Sequence, residues 1–568
     1  MRRLPAMIVA ALWLALPAGA EARSDDDDWI LPAMEAELDR SRQALRLEGY
    51  DAPYFVAATV RDARRSYVSG KSGALFQSAD TRNRLVSVDV RVGDYAMDSS
   101  EDPDEFYNQN QKYQPNNLAP LDASPAALRR AIWLLADFRY KAALMSFLTV
   151  KAKAVNDPKE RLAGSMSREP AFVHVEPSRP WKFDRAPWES VVRKTSAVFL
   201  DYPEVFDASV EVGAVRLTRY MVNSEGTRVR TVDDYYQLFV TAVARADDGM
   251  LVQDVLTYYG RAPSDLPALD RVLKDTRDLA DRMRRLRAAE VLDPQTVPVL
   301  MSPQATGVFF HETVGHRLEG FRQNNEEEGR TFKGQIGQRI LPEFIDVYDD
   351  PETTHWDGIS LNGAYRVDDE AVRGRRAELV EAGILRGFLM GRRPVEGVAQ
   401  SNGHGRSDGF QRPVGRMANL VVRGRSPVPD ASMKAMLLDE VRRQGKPFGL
   451  IVETIAGGAT NTSSYGFQAY KGQPRIAWRV DAQTGAETLV RGFEIVGTPL
   501  SSINRIVATG DRYDVFNGYC GAESGMVPVS AVAPAMLFAE METQRAQQET
   551  ERPLILPPPA VGAIGGAR

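Results

Sequence analysis

Apolar residues recur at helical spacing in some stretches of this chain and alternate with polar ones in others, so helices and strands are both expected along its length. Ile30, Met34, Leu38 and Leu45 mark an amphipathic helix over 29–47, and segments 54–60 and 85–92 read as strands separated by Gly- and Ser-containing turns. The longest helical pattern covers 124–155. It starts well, because Ser124 is a good N-cap and Pro125 suits the first helical position, and its Trp133, Leu134, Phe138, Leu144 and Phe147 read as core. A further helix is expected over 188–200, then paired strands over 208–229 and 235–245 with Asn223-Ser224-Glu225-Gly226 as a turn, and a charged helix over 266–289.

From Val297 onward the texture changes. A short apolar strand, 297–301, precedes a helix over 307–318, and the remainder is glycine-rich with short strands at 339–348, 376–379, 384–390, 420–423, 448–453 and 475–480. The expected fold class is therefore α+β: an N-terminal α/β domain with a mixed sheet and helices over 23–290, followed by a β-rich C-terminal domain over 291–550. The Pro-, Gly- and Ala-rich tail, 551–568, is expected to be disordered.

Composition changes this picture little. With 568 residues, 43% hydrophobic and 26% charged, the chain has the balance of a multidomain globular protein. A net charge of −5 with no basic, aromatic-interleaved run excludes a nucleic-acid partner. The N-terminus adds more. Arg2 and Arg3, an apolar run over 6–16 and Ala18-Gly19-Ala20 form a signal-peptide pattern, so 1–22 is read as cleavable and the protein as exported, periplasmic or extracellular. That run falls short of the roughly 20 residues a spanning helix needs, and no stable membrane anchor is expected.

The chemistry concentrates in His311-Glu312-Thr313-Val314-Gly315-His316. Neutral imidazoles ligate zinc, and a carboxylate beside the metal can take a proton from water, so His311 and His316 are read as metal ligands and Glu312 as general base. In the ordinary zincin pattern the histidines are four apart on one helical face, whereas here they are five apart. A five-residue step turns roughly 140° around an ideal α-helix, which would point the rings apart. A π-type widening is therefore expected, with the backbone yielding at Gly315. Zinc also needs a further protein ligand. Only His174, His355, His404, the single cysteine Cys520 and many carboxylates are available, and Cys520 reads either as a buried inert thiol or as a ligand.

Several blocks in order resemble the TldD/PmbA family of metallopeptidases, and its metal-binding TldD-type branch in particular. They are Gly307 through Gly320 around the histidines, Asp346-Val347-Tyr348-Asp349-Asp350-Pro351, Gly383 through Phe388, Ser401-Asn402-Gly403-His404-Gly405-Arg406 with Arg416-Met417-Ala418-Asn419, Gly492 through Gly497, and Tyr519-Cys520-Gly521. The resemblance implies one Zn²⁺ per chain held by His311, His316 and Cys520, with Glu312 as base. It also implies a dimer, with itself or with a paralogue, around a cavity that takes unfolded, extended peptides through backbone pairing. Where the family's cysteine block continues Gly-Lys-x-Gly-Gln, this chain has Ala522 in the lysine place, and Met526 falls at the final position only with one extra residue.

Asn402 and His404 lie in a Gly-rich block and are candidate substrate contacts, weighed against a plain turn role. His174 and His355 are read as structural, and the acidic run 326–328 as a solvated loop. Two other readings stand beside the peptidase. One is a non-hydrolytic, peptide-binding partner subunit, and the other a Cys520-His thiol hydrolase whose activity would survive chelation.

Overall fold

The computed structural model describes residues 28–102, 114–156, 164–325, 328–464 and 470–546, with positions 556 and 559. The signal-peptide segment 1–22, residues 326 and 327 of the acidic run, most of the polar loop 108–117, and the tail 551–568 apart from those two positions lie outside the described residues.

Four long antiparallel strands run in the order Ala74–Val92, Pro53–Lys71, Val205–Asn223, Arg228–Arg245. Leu251–Gly260 and the short parallel Val173–Val175 both pair with Arg228–Arg245. Period-two alternation gives this sheet two different faces. Val56, Val60, Val212, Leu238 and Val240 point to one side and are buried under the helices Ile30–Ala44, Pro125–Asn156, Arg185–Ala197 and Leu269–Arg287. Each such fully buried side chain contributes roughly 1.5–3 kcal/mol. Residues one step out of phase, among them Arg61, Arg65, Arg219, Tyr235 and Phe239, line a cavity on the other side.

The chain passes between Arg287 and Glu290 into a second, mixed sheet. Its longest strand, Gly525–Arg545, is paired on one edge with Ile506–Ala522 and further along with Thr296–Met301. Thr296–Met301 in turn pairs in parallel with Phe448–Thr460, which pairs with Tyr470–Asp481. The fold is thus mixed α+β, as the pattern implies.

Several details differ from the sequence reading. The first two strands have 19 residues each, far more than their apolar cores suggested, because charged residues continue the ladder, Arg61 and Arg65 on the cavity face and Asp62 on the other. Trp133 is 40% exposed rather than core, and Leu134 and Phe138 are only partly buried; Leu128, Ile132, Leu135 and Tyr140 fill the helix interface instead. The helix Asp430–Arg443, the strand Leu251–Gly260 and the hairpin Ile506–Arg545 carry no counterpart in the reading. In the hairpin strand Gly525–Arg545 the apolar run is unbroken from Ala531 to Ala539, as befits a strand covered on both faces, and period alone does not identify such a run. Among the described residues no helix is long and apolar enough to cross a membrane.

Candidate metal centre

Ser302 caps the helix Pro303–Phe310 by accepting from Ala305 N, with Pro303 at its first position. The helix lies against the strand Gly525–Arg545, so closely that a Cβ on Gly307 would stand 3.3 Å from Ala531 Cβ. Its direction is set by Thr296–Met301 before it, which pairs with the same strand. Histidines at the helix end are thereby delivered to the hairpin that carries Cys520, which stands opposite Val527.

The widened turn is present. Residues His311–Gly315 form a π-helix, and His316 N–H donates to the carbonyl of His311, five residues back. The two imidazoles consequently face the same region, with ring centroids 5.0 Å apart and planes at 85°. Gly315 itself has ordinary helical angles, φ −54 and ψ −56, so the turn does not use its freedom of backbone. It uses its lack of a side chain, since a Cβ there would stand 2.1 Å from Met417 Sδ.

His311, His316 and Cys520 are all buried, and one ligand atom from each lies within 4.8 Å of the others. Cys520 Sγ is 3.4 Å from His316 Nε2. Zinc–nitrogen and zinc–sulfur bonds of usual length at a tetrahedral angle place those atoms about 3.5 Å apart, so this pair already has the right separation. His311 Nδ1 is buried with no hydrogen-bond partner among the described residues, as befits a nitrogen kept for a ligand. Burial alone would raise the Cys520 thiol, but His316 and His311 outweigh it and hold the thiol well below its usual range. Thiolate is the form that ligates a metal. The donor set therefore fits zinc.

Sequence reasoning passed over the layer that orients these ligands. His316 Nδ1 is 3.2 Å from Glu319 Oε1, and Glu319 accepts in turn from Arg322 Nε at 2.8 Å. Burial pushes the Glu319 carboxyl up, but His316 and Arg322 win and it falls to about 2. Arg416, fully buried, lies 3.3 Å from Glu319 and donates to the Cys520 carbonyl at 2.9 Å. Arg322 also binds both oxygens of Glu523 at 2.9 Å, tying down the turn that follows Ala522. The legible signal was Glu319, an acidic residue three positions after His316 and just past the end of its helical turn.

Glu312 lies beside the cluster, with Oε2 4.0 Å from His316 Nε2. It also touches the strand Phe448–Thr460: a Cβ on Gly458 would stand 2.3 Å from Glu312 Cγ. Gly458 in turn lines the open cavity of about 1320 Å³ between the two sheets, so only a glycine separates the carboxylate from that space.

The structure places Asn402 and His404 elsewhere. His404 is fully buried, with Nδ1 2.9 Å from Asn402 Oδ1 and Nε2 3.2 Å from Asp349 Oδ1. Asn402 donates to Phe388 O at 2.8 Å and accepts from Met390 N at 2.8 Å. Neither lines the cavity; together they fasten segments behind it. His174 sits 3.2 Å from Glu176, and His355 contacts Thr354 and Ser360.

A buried His-His-Cys cluster with a neighbouring carboxylate, set on a helix against a large mixed sheet, could hold a metal ion. Residues 294–545 match the model of the PmbA/TldA metallopeptidase C-terminal domain. Among curated proteins, a metalloprotease of Methanocaldococcus jannaschii is 25% identical over 59% of this chain and 67% of its own length. A TldD homologue of Haemophilus influenzae, named a metalloprotease, is 26% identical over 43% of the chain and 47% of its own. One from Saccharolobus solfataricus, named a zinc metalloprotease, is 27% identical over 42% and 49%. The chain thus spans about half to two thirds of the relatives it matches. In fold it resembles TldE of Thermococcus kodakarensis, with a TM-score of 0.59 and 14% identity, covering 90% of this chain and all of that one. Residues 294–545 thus carry a domain of the TldD/PmbA metallopeptidase type, and the relatives and solved folds that the chain resembles point to the same family.

Proposed function

We propose that the protein is an exported zinc metallopeptidase that hydrolyses unfolded or extended peptides, with one Zn²⁺ per chain. The observation that carries this reading is the convergence of His311, His316 and the sole cysteine within 4.8 Å, with Glu312 beside them. His311, His316 and Cys520 would hold the zinc, which would supply Lewis-acid chemistry at the site. Glu312 takes the proton of the attacking water and returns it to the leaving amine, so one carboxylate serves as base and then as acid. Glu319, beside His316 Nδ1, would orient that imidazole as a ligand, and Arg322 and Arg416 keep Glu319 anionic. The cavity walls are sheet edges and strand faces, a setting suited to backbone pairing with an extended chain. Pairing with a second copy or with a paralogue would close that space, a reading suggested by a TldE-like fold in a chain with TldD-named relatives.

The test is metal analysis of the full chain together with cleavage of unstructured peptides. One zinc per chain and chelator-reversible hydrolysis are expected, with Glu312→Gln keeping zinc and losing hydrolysis. Absence of both metal and cleavage would overturn the reading, and activity that resists chelation but not thiol alkylation would favour a Cys520 hydrolase. Mass spectrometry of the N-terminus from periplasm and medium tests export.

A further inference from the structure

Alternation along the strand Tyr470–Asp481 puts Lys471, Gln473 and Arg475 in one row on the cavity wall. The first two have company. Lys471 Nζ lies 4.0 Å from Glu494 Oε2, and Gln473 Nε2 donates to Glu494 Oε1 at 3.3 Å. Arg475 has none: no hydrogen bond or ion pair joins its guanidinium to any described residue. The acidic group that acts on it, Asp254, is already engaged by Arg282 at 2.6 Å. Burial pushes Arg475 below its ordinary value, against the weaker pull of Asp254 and Tyr259. A guanidinium nevertheless stays charged in a protein, so it stands partly desolvated without a counter-ion, which is costly unless a ligand supplies one. Its surroundings suit such a ligand. Tyr259 and Tyr519, with ring centroids 6.5 Å apart, line the same cavity, as does Arg65, whose Nη1 donates to Asn83 at 2.6 Å.

We propose that Arg475 is a substrate-binding residue that recognises a peptide carboxylate about three residues away from the bond to be cut, an inference that rests on the peptidase reading above. The position follows from strand register. Gly472 pairs with Gly458, the residue against Glu312, and Arg475 lies three residues further along the same strand. At about 3.3 Å per residue that is ~10 Å, and an extended peptide lying beside the strand advances at the same rate. The planar guanidinium matches a carboxylate through two parallel hydrogen bonds. Two sources offer that group: an Asp or Glu side chain, or the free C-terminus of a peptide that ends there.

The experiment uses the full-length, zinc-loaded Glu312→Gln variant and fluorescently labelled unstructured peptides. One neutral host sequence is made in three forms: with a single Glu scanned along it, with a free C-terminal carboxylate, and with a C-terminal amide. Binding is read by anisotropy, and cleavage of the same peptides by wild type is read in parallel. Tighter binding of a carboxylate form, by about 10- to 100-fold, is expected. Arg475→Gln should abolish that preference while leaving the amidated neutral peptide unaffected. The scanned Glu and the free terminus separate the two sources. Equal binding of acidic and neutral forms, or a preference that survives Arg475→Gln, would overturn the proposal. Because binding is measured without turnover, a carboxylate preference lost in Arg475→Gln with no cleavage by wild type would support carboxylate recognition by Arg475 while sinking the peptidase reading and the distance from a cut bond. Cleavage and binding indifferent to the carboxylate would instead overturn this inference and leave that reading standing.

Discussion

Gly315 and Met417 occupy adjoining space so fully that a methyl group on the glycine would sit 2.1 Å from the Met417 sulfur. Met417 is completely buried, so it has little room to retreat. Gly315→Ala is therefore expected to destabilise the protein by about 1–3 kcal/mol through overpacking. It should also weaken metal binding, because the shift falls on the residue before His316. Denaturant unfolding of the two proteins, each with and without zinc, checks both effects.

Glu319 offers a test of the layer behind the ligands. Glu319→Gln keeps the size of the side chain but removes the charge that His316, Arg322 and Arg416 share. A loss of about 10- to 100-fold in zinc affinity is expected, measured by competition with a chelating dye. Unchanged affinity would mean that His316 is oriented by packing alone.

Tyr470 carries a hydroxyl that is buried and has no hydrogen-bond partner among the described residues. Its ring packs edge-on against Phe309 at 5.2 Å. Tyr470→Phe keeps that contact and removes only the unsatisfied group, so the variant is expected to be more stable than wild type by about 1–3 kcal/mol. Thermal or urea unfolding at fixed zinc concentration decides it.

Asp369, in a turn of the C-terminal part, pairs with Arg61 and Arg219 of the N-terminal sheet. Burial pushes its carboxyl up, but the two guanidinia outweigh this and hold it below the usual carboxylate value. A depressed carboxylate contributes stability that is fully present above the unfolded-state pKa of about 3.9 and is lost as pH falls through the lower folded value. Asp369→Asn is expected to cost about 3–5 kcal/mol at neutral pH, since it leaves two nearly buried arginines without their shared partner. The difference between variant and wild type should shrink as acid protonates Asp369, which a pH series of unfolding curves would show. A difference independent of pH would assign the loss to packing instead.

Much of the centre was legible before any coordinates. The His311-Glu312-x-x-x-His316 spacing demanded a π-type turn, because regular helical geometry cannot bring rings five residues apart together, and the turn is there. Cys520 was a candidate from residue type, and its pairing with the histidines came from resemblance, because two hundred residues of intervening sheet encode that proximity only in three dimensions. Glycine preference at 315 was read as flexibility and proved to be a matter of space, since a neighbour such as Met417 is invisible to local pattern. Trp133 failed for the opposite reason. Hydrophobic periodicity located its helix but left the phase of the buried face to be fixed by Leu128, Ile132 and Leu135. Arg475 could not be singled out in a chain with many arginines until its neighbours were known to be spoken for.

The strand Gly525–Arg545 holds the cysteine hairpin on one edge and the strand leading to the histidine helix on the other. A chain emerging from the ribosome therefore has both histidines long before it has anywhere to put them. Only when the last strand is made and docked does the third ligand meet the other two. The candidate site is thus completed by the last strand of the second sheet, and a chain that lacks this strand cannot assemble it.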